Sequence, residues 1–272
     1  MNDLKFAFRQ LLKNPGFTAV AVLTLALGIG ANTAIFSVVN AVLIQPLPYK
    51  DSSRLVFVWR DMTSAGKPRS AMAGPELTDL QERGTLFSGF AGIWPNTATL
   101  TGDGDPEQLR IGFVTTNFFG TLGANPLLGR TFDTTDPASS IVLSWPLWQR
   151  RYGGDPSVVG RKILVNGQPA TVVGVMPPEF RVLFPPDSNV PETLDAWILG
   201  EGIAGITDPP RRTRYLRVIG RMKPGVPLTQ AREEVSQIAD RVSREYTDYG
   251  VAGLRLNMVG LQSEGAREIG VS

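Results

Sequence analysis

The chain has 272 residues, with 27 Lys+Arg against 25 Asp+Glu and a formal net charge of +2. That is room for one membrane segment plus one or two compact domains, and too little charge to argue for nucleic acid. There is no Cys and no His, which excludes a disulfide framework, a thiol nucleophile, Ser-His-Asp and Cys-His catalytic sets, and zinc sites built on Cys and His.

In chain order, residues 1–14 read as an amphipathic helix. Leu4, Phe8, Leu11 and Leu12 recur at helical spacing, with Lys5, Arg9 and Lys13 elsewhere on it. Such a helix suits a membrane interface, or is simply a basic flank. Between Lys13 and Lys50 no residue is formally charged. A helix from Phe17 to Val39 is about 34 Å long, enough for a hydrocarbon core of about 30 Å and longer than the apolar part of a cleavable signal. The expectation is a transmembrane helix within residues 15–45. Its basic N-terminal flank favours a cytoplasmic N-terminus, leaving the bulk of the chain outside the cytoplasm. Ala26, Gly30 and Ala34 repeat every four residues, a spacing that lets another helix backbone approach closely. Asn32, Thr33, Ser37 and Asn40 are polar, and in lipid they need partners, which also favours a helix packed against protein.

Pro46 and Pro48 end the apolar run. Beyond them, residues 54–59, 110–116, 141–144, 215–222 and 251–259 read as strands, and residues 74–84 as a short helix with Leu77 and Leu80 inward. Residues 161–176 read as a hairpin, with Asn166-Gly167 supplying the two positive φ angles of a type I′ turn. Residues 227–246 read as a helix whose apolar stripe is Leu228, Ala231, Val235, Ile238, Val242 and Tyr246. Its charged outer face implies that it covers a sheet. Strands and helices mix without strict alternation, so the class is α+β. Pro- and Gly-rich connections place an inserted part at about residues 136–205 of a domain spanning 46–272.

Candidate chemistry is sparse. Residues 152–162 hold three glycines and a basic pair, but the five residues between Gly154 and Gly160 are not the spacing of a phosphate loop, and a strand follows where a helix is needed. Asp103, Asp105 and Glu107 alternate as calcium ligands do, yet the rest of such a loop is missing. The expectation is no metal, no cofactor and no catalytic residue. The basic run from Arg211 to Arg217 reads as a solvated loop leading into a strand, with contact to lipid phosphates or an acidic partner as the alternative.

Four stretches together resemble the permease subunit of MacB-type (FtsX-like) ABC transporters. They are "NPGFTAVAVLTLALGIGANTAIFSVVNAVLIQPLPY", "NFFGTLGANPLLGRTF", "SWPLWQRRYGGDPSVVGRKILVNGQPATVVGVMPPEF" and "LRVIGRMKPGVPLTQAREEV". The resemblance implies an interface helix, a transmembrane helix and a large periplasmic core domain with a porter-like part and a smaller insert, in the bacterial inner membrane. It also implies three further membrane helices beyond this chain and a separate cytoplasmic ABC ATPase. The implied partners are that ATPase, the remaining permease helices or a second permease copy, a periplasmic adaptor and membrane lipid. No particular substrate is implied. Within these stretches Gly123 and Gly129 suit tight turns, Pro126 fixes φ between them, and Arg130 calls for a carboxylate that the sequence does not name. The expected function is a non-catalytic permease portion that couples cytoplasmic ATP hydrolysis to movement of the periplasmic domain. The alternative is a membrane-anchored periplasmic binding or scaffold module without transport.

Overall fold

A computed structural model describes residues 15–39, 49–102, 104–200, 211, 213–249 and 253–262. The expected helix over 1–14, together with Asp103, lies outside them. The chain forms two compact units, Met1–Gln45 and Pro46–Ser272.

The first unit contributes α1 (Pro15–Val39), a helix without an amphipathic face. Its described apolar side chains are exposed, among them Leu23 and Leu27. Among the described residues no helix is long and apolar enough to cross a membrane; the side chains at 15, 17, 21, 31 and 34–39 of α1 lie outside them. A Cβ added at Gly30 meets nothing within 4 Å. Ala26 is exposed, and the side chain of Ala34 is not among those described.

The second unit is built on one 12-stranded mixed sheet. Its strands are β1 (Leu55–Met62), β2 (Lys67–Ser70), β3 (Met72–Ala73), β4 (Phe87–Thr101), β5 (Glu107–Val114), β6 (Leu128–Gly129), β7 (Ser140–Leu143), β8 (Lys162–Val165), β9 (Gln168–Val175), β10 (Ala196–Leu199), β11 (Arg214–Met222) and β12 (Leu256–Gly260). The main path runs β12-β1-β11-β4-β5-β10-β7-β9-β6, while β2 pairs with β1, β3 with β11, and β8 with both β4 and β9. The helices are α2 (Gly74–Arg83), α3 (Phe118–Leu122), α4 (Trp145–Tyr152) and α5 (Leu228–Glu245).

Side-chain alternation sorts this sheet into layers. Along β1, Leu55, Phe57 and Trp59 enter one apolar core, while Val56 and Val58 enter another beneath α2 and α5. Burial on both faces is why the segment reads as a continuous apolar run rather than an alternating one. Along β10 the same rule sends Trp197 and Leu199 to the first core, and Ala196 and Ile198 to a third core closed by Leu147 and Trp148 of α4.

β4 is the longest strand, and its sequence does not announce it. Gly89, Gly92, Pro95 and Asn96 interrupt the pattern. Its neighbour β11 pairs with it only as far as Ile93. On the other side β5 pairs from Ile93 to Leu100. Pro95 therefore sits just past the point where β4 has lost its β11 neighbour, and its missing N–H interrupts no ladder there.

The stripe of α5 also differs at its end. Ala231, Val235, Ile238 and Val242 are buried and Leu228 is partly so, but Tyr246 is 37% exposed and lies one residue beyond the helix. Its ring instead receives the guanidinium of Arg211, 3.6 Å from the centroid. Arg211 in turn is not a solvated loop residue, because its side chain is only 12% exposed.

Candidate functional site

α2 begins with Pro75 in its first turn, where a missing N–H leaves nothing unsatisfied. Glu76 folds back so that its Oε2 accepts from the N–H of Ala73 at 2.9 Å. Ala73 has no side-chain acceptor to return the bond, so this is half of a capping box. The other oxygen, Oε1, accepts from Arg60 Nη1 at 2.9 Å. Glu76 is wholly buried. Burial pushes its carboxyl above the usual range, against the opposing pull of the Ala73 N–H and the Arg60 charge.

One helical turn on, Asp79 is paired with Arg211 and Arg83. Arg83 also reaches Glu245 at the end of α5, at 2.6 Å. Arg211 Nη1 donates to the Tyr249 hydroxyl at 3.1 Å. Burial, with Glu76 nearby, pushes that phenol up to about 12. These groups tie α2 to the segment after α5 through charge-assisted bonds, which are stronger than neutral ones.

Beside this network, α2 and strands β4, β5 and β11 enclose a groove of about 550 Å³. One wall is aromatic: Trp94 lies 5.5 Å from Phe113 and 5.3 Å from Tyr215, centroid to centroid. Arg211 and Tyr246 also line the groove. An apolar wall beside a few fixed polar groups is the geometry with which pockets orient ligands. Asp79 is held by Arg83 and Arg211, and the neighbouring Glu76 by Arg60 and the Ala73 N–H. Among the described residues no group of three or more His, Cys, Asp or Glu is placed to hold a metal ion. Trp94 and Tyr215 carried no joint signal in the sequence, because they meet only through the β4–β11 neighbourhood.

The turn residues singled out in the sequence lie elsewhere. Gly123 (φ 66°) ends α3, and Gly129 (φ 68°) pairs with Gly174. Pro126 falls between them without regular structure. Asn166 (φ 51°) and Gly167 (φ 74°) join β8 to β9. The carboxylate for Arg130 is Asp136.

Comparison with known proteins is consistent with this architecture. The structure is similar to the periplasmic region of MacB from Actinobacillus actinomycetemcomitans (TM-score 0.60, 10% identity, covering 81% of this chain and 95% of that one). It is also similar to a domain of a permease protein from Porphyromonas gingivalis (TM-score 0.59, 16% identity, 78% and 92%). A third likeness is to the extracellular domain of the noncanonic ABC-type transporter YknZ from Gram-positive bacteria (TM-score 0.51, 12% identity, 69% and 94%). At these identities the likeness shows the fold. Among curated proteins nothing matches the chain. The sequence itself matches the family described as MacB-like periplasmic core domain over residues 18–238, and with most of its length so matched the chain belongs to that family, found in ABC transporter permeases.

Proposed function

We propose that this chain is the non-catalytic permease portion of a MacB-type ABC transporter, anchored in the bacterial inner membrane by α1, with its N-terminus in the cytoplasm and residues 46–272 in the periplasm. The single observation that carries the reading is the family match from residue 18 to residue 238, which takes in most of α1 and the sheet domain together. The character of α1 supports it. A helix apolar all round is stable only when buried, in lipid or against other helices. Ala26, Gly30 and Ala34 supply a stripe for such helix packing.

On this reading a cytoplasmic ABC ATPase supplies the energy, and further permease helices or a second permease copy complete the bundle. A periplasmic adaptor and lipid are its other partners. The periplasmic part works as a lever with a smaller insert at about 136–205. A sheet buried on both faces, as at β1, resists bending and transmits displacement. Efflux or extraction of substrate follows from that displacement.

The test has two arms. A periplasm-dependent reporter fused after Ser272 gives activity, and the same reporter after Lys13 does not; the reverse pattern overturns the orientation. In the complete permease co-expressed with its ATPase, Gly30→Leu inserts normally but impairs assembly or transport-coupled hydrolysis, while Leu25→Ile does not. Equal behaviour of the two variants makes α1 a lipid-facing anchor and supports a scaffold without transport.

A further inference from the structure

A second concavity, of about 680 Å³, opens beside β2 and the start of β11. Its charged lining is lopsided: Lys67, Arg69, Arg214 and Arg217 stand against one carboxylate among the described lining residues, Asp187. Lys67 and Arg214 are exposed and Arg217 is half-buried.

The backbone is shaped to produce this. In a regular strand Arg214 and Arg217, three residues apart, point to opposite faces. Here the β11–β3 register slips between Arg214 and Leu216: Arg214 pairs with Ala73, and Leu216 with Met72, leaving Tyr215 as the extra residue. A bulge of this kind re-aims side chains. Both arginines line the basic concavity, while Tyr215 and Leu216 line the apolar groove on the other side. The strand is thus split into a basic face and an apolar face at the one place where alternation would have mixed them.

Two of the guanidinium groups are held in place before any ligand arrives. Arg217 Nε donates to the carbonyl of Ser188. Arg69 stacks over the Trp59 ring, 4.8 Å from its centroid, and donates from Nη1 to Asp187 Oδ1 at 3.3 Å. The Arg217 guanidinium, fixed through Nε, presents its two Nη groups as a fork for oxygen pairs, with little further entropy to lose. Asn189, at φ 58° after a tight turn, also lines the site.

We infer that this concavity is a binding site for a multiply charged phosphoryl ligand, whether soluble or presented on a lipid headgroup. Excess positive charge in a concave wall focuses the field on an anion. The volume exceeds what a single phosphate fills, so the fitting ligand carries clustered phosphoryl groups. This inference stands independently of transport.

The experiment uses the full chain in neutral detergent, titrated calorimetrically with inorganic tripolyphosphate at low and at moderate salt. Binding is expected, weakening as salt rises. Arg217→Gln and Arg214→Gln are each expected to weaken it about tenfold, the effect of removing a charge-assisted hydrogen bond. Arg214→Gln alters an exposed side chain, so it reports on binding even if the half-buried Arg217 variant folds poorly. Lys162→Gln removes the same charge from a distant exposed strand position and is expected to leave affinity unchanged. Competition by short-chain diacylglycerol pyrophosphate, whose headgroup carries two linked phosphoryl groups, assigns the site to a headgroup, and tripolyphosphate binding without such competition assigns it to a soluble ligand; both uphold the inference. No measurable tripolyphosphate binding, an equal loss in Lys162→Gln, or citrate binding as tightly as tripolyphosphate overturns it.

Discussion

Arg130 holds Asp136 through both ends of its guanidinium, Nη1 to Oδ2 at 2.5 Å and Nη2 to Oδ1 at 2.6 Å. Asp136 Oδ2 also accepts from the N–H of Asp133 at 2.8 Å. The first of these contacts is the main reason the Asp136 carboxyl sits below its ordinary value of 3.8. A carboxylate with a depressed native pKa contributes stability above the unfolded value and loses it as pH falls through the native one. Asp136→Asn is therefore expected to lower the stability read from urea unfolding at about pH 7 by on the order of 1 kcal/mol, because Arg130 is half exposed. The gap to wild type is expected to close as pH falls below about 4. A gap that stays constant into acid would assign the loss to packing rather than charge.

The crossing of β6 and β9 is expected to tolerate no side chain. A Cβ on Gly174 would stand 2.2 Å from the carbonyl oxygen of Arg130, and one on Gly129 would stand 2.3 Å from that of Val173. Both obstacles are backbone and cannot rotate aside. Gly174→Ala is expected to destabilise by about 2 kcal/mol or more, as overpacking does. Gly153→Ala is the comparison, since its Cβ meets nothing within 4 Å and only the positive φ of 60° is strained, costing about 1 kcal/mol. Equal urea midpoints for the two variants would refute the close approach.

At the β8–β9 turn the expected penalty is purely conformational. Gly167 has φ 74° and open space around it. Gly167→Val is expected to lose at least about 1 kcal/mol, because a β-branched side chain resists that conformation. Gly167→Asn should lose less, since Asn tolerates the left-handed region. If Val and Asn behave alike in urea, side-chain crowding rather than φ governs the position.

The Asp79–Arg211 pair offers a double-mutant cycle. Both side chains are largely buried, at 6% and 12% exposure. Asp79→Ala leaves Arg211 without its carboxylate and is expected to cost about 3 kcal/mol, while Arg211→Ala, which leaves Asp79 still paired with Arg83, is expected to cost less, about 1–2 kcal/mol. The double variant is expected to cost well below the sum, with a coupling of about 1–3 kcal/mol. Additive losses would show that the pair is held apart in solution.

How much of this was legible beforehand depended on the reach of each signal. The apolar periodicity of α5, the alternation in β8 and β9, and the Asn166-Gly167 dipeptide specify structure within a few residues of themselves, and a single sequence carries that information whole. β4 is not legible: Gly89, Gly92, Pro95 and Asn96 look like loop residues until β11 is seen to pair along the first half of one edge and β5 along the second half of the other. Period alone extends the helix stripe to Tyr246. The Arg211 guanidinium, arriving from 35 positions earlier in the chain, takes its ring instead.

By itself, then, the sequence determined the composition of the chemistry and the local elements: no His or Cys to react, an uncharged run of helical length, and strands and helices marked by their own periods. Tertiary structure alone decided which side chains meet. The aromatic wall of Trp94 and Tyr215 and the shared face of Arg214 and Arg217 both depend on strand register. Register is set by pairing between segments far apart in the chain, and one extra residue in one ladder is enough to move a side chain to the other face.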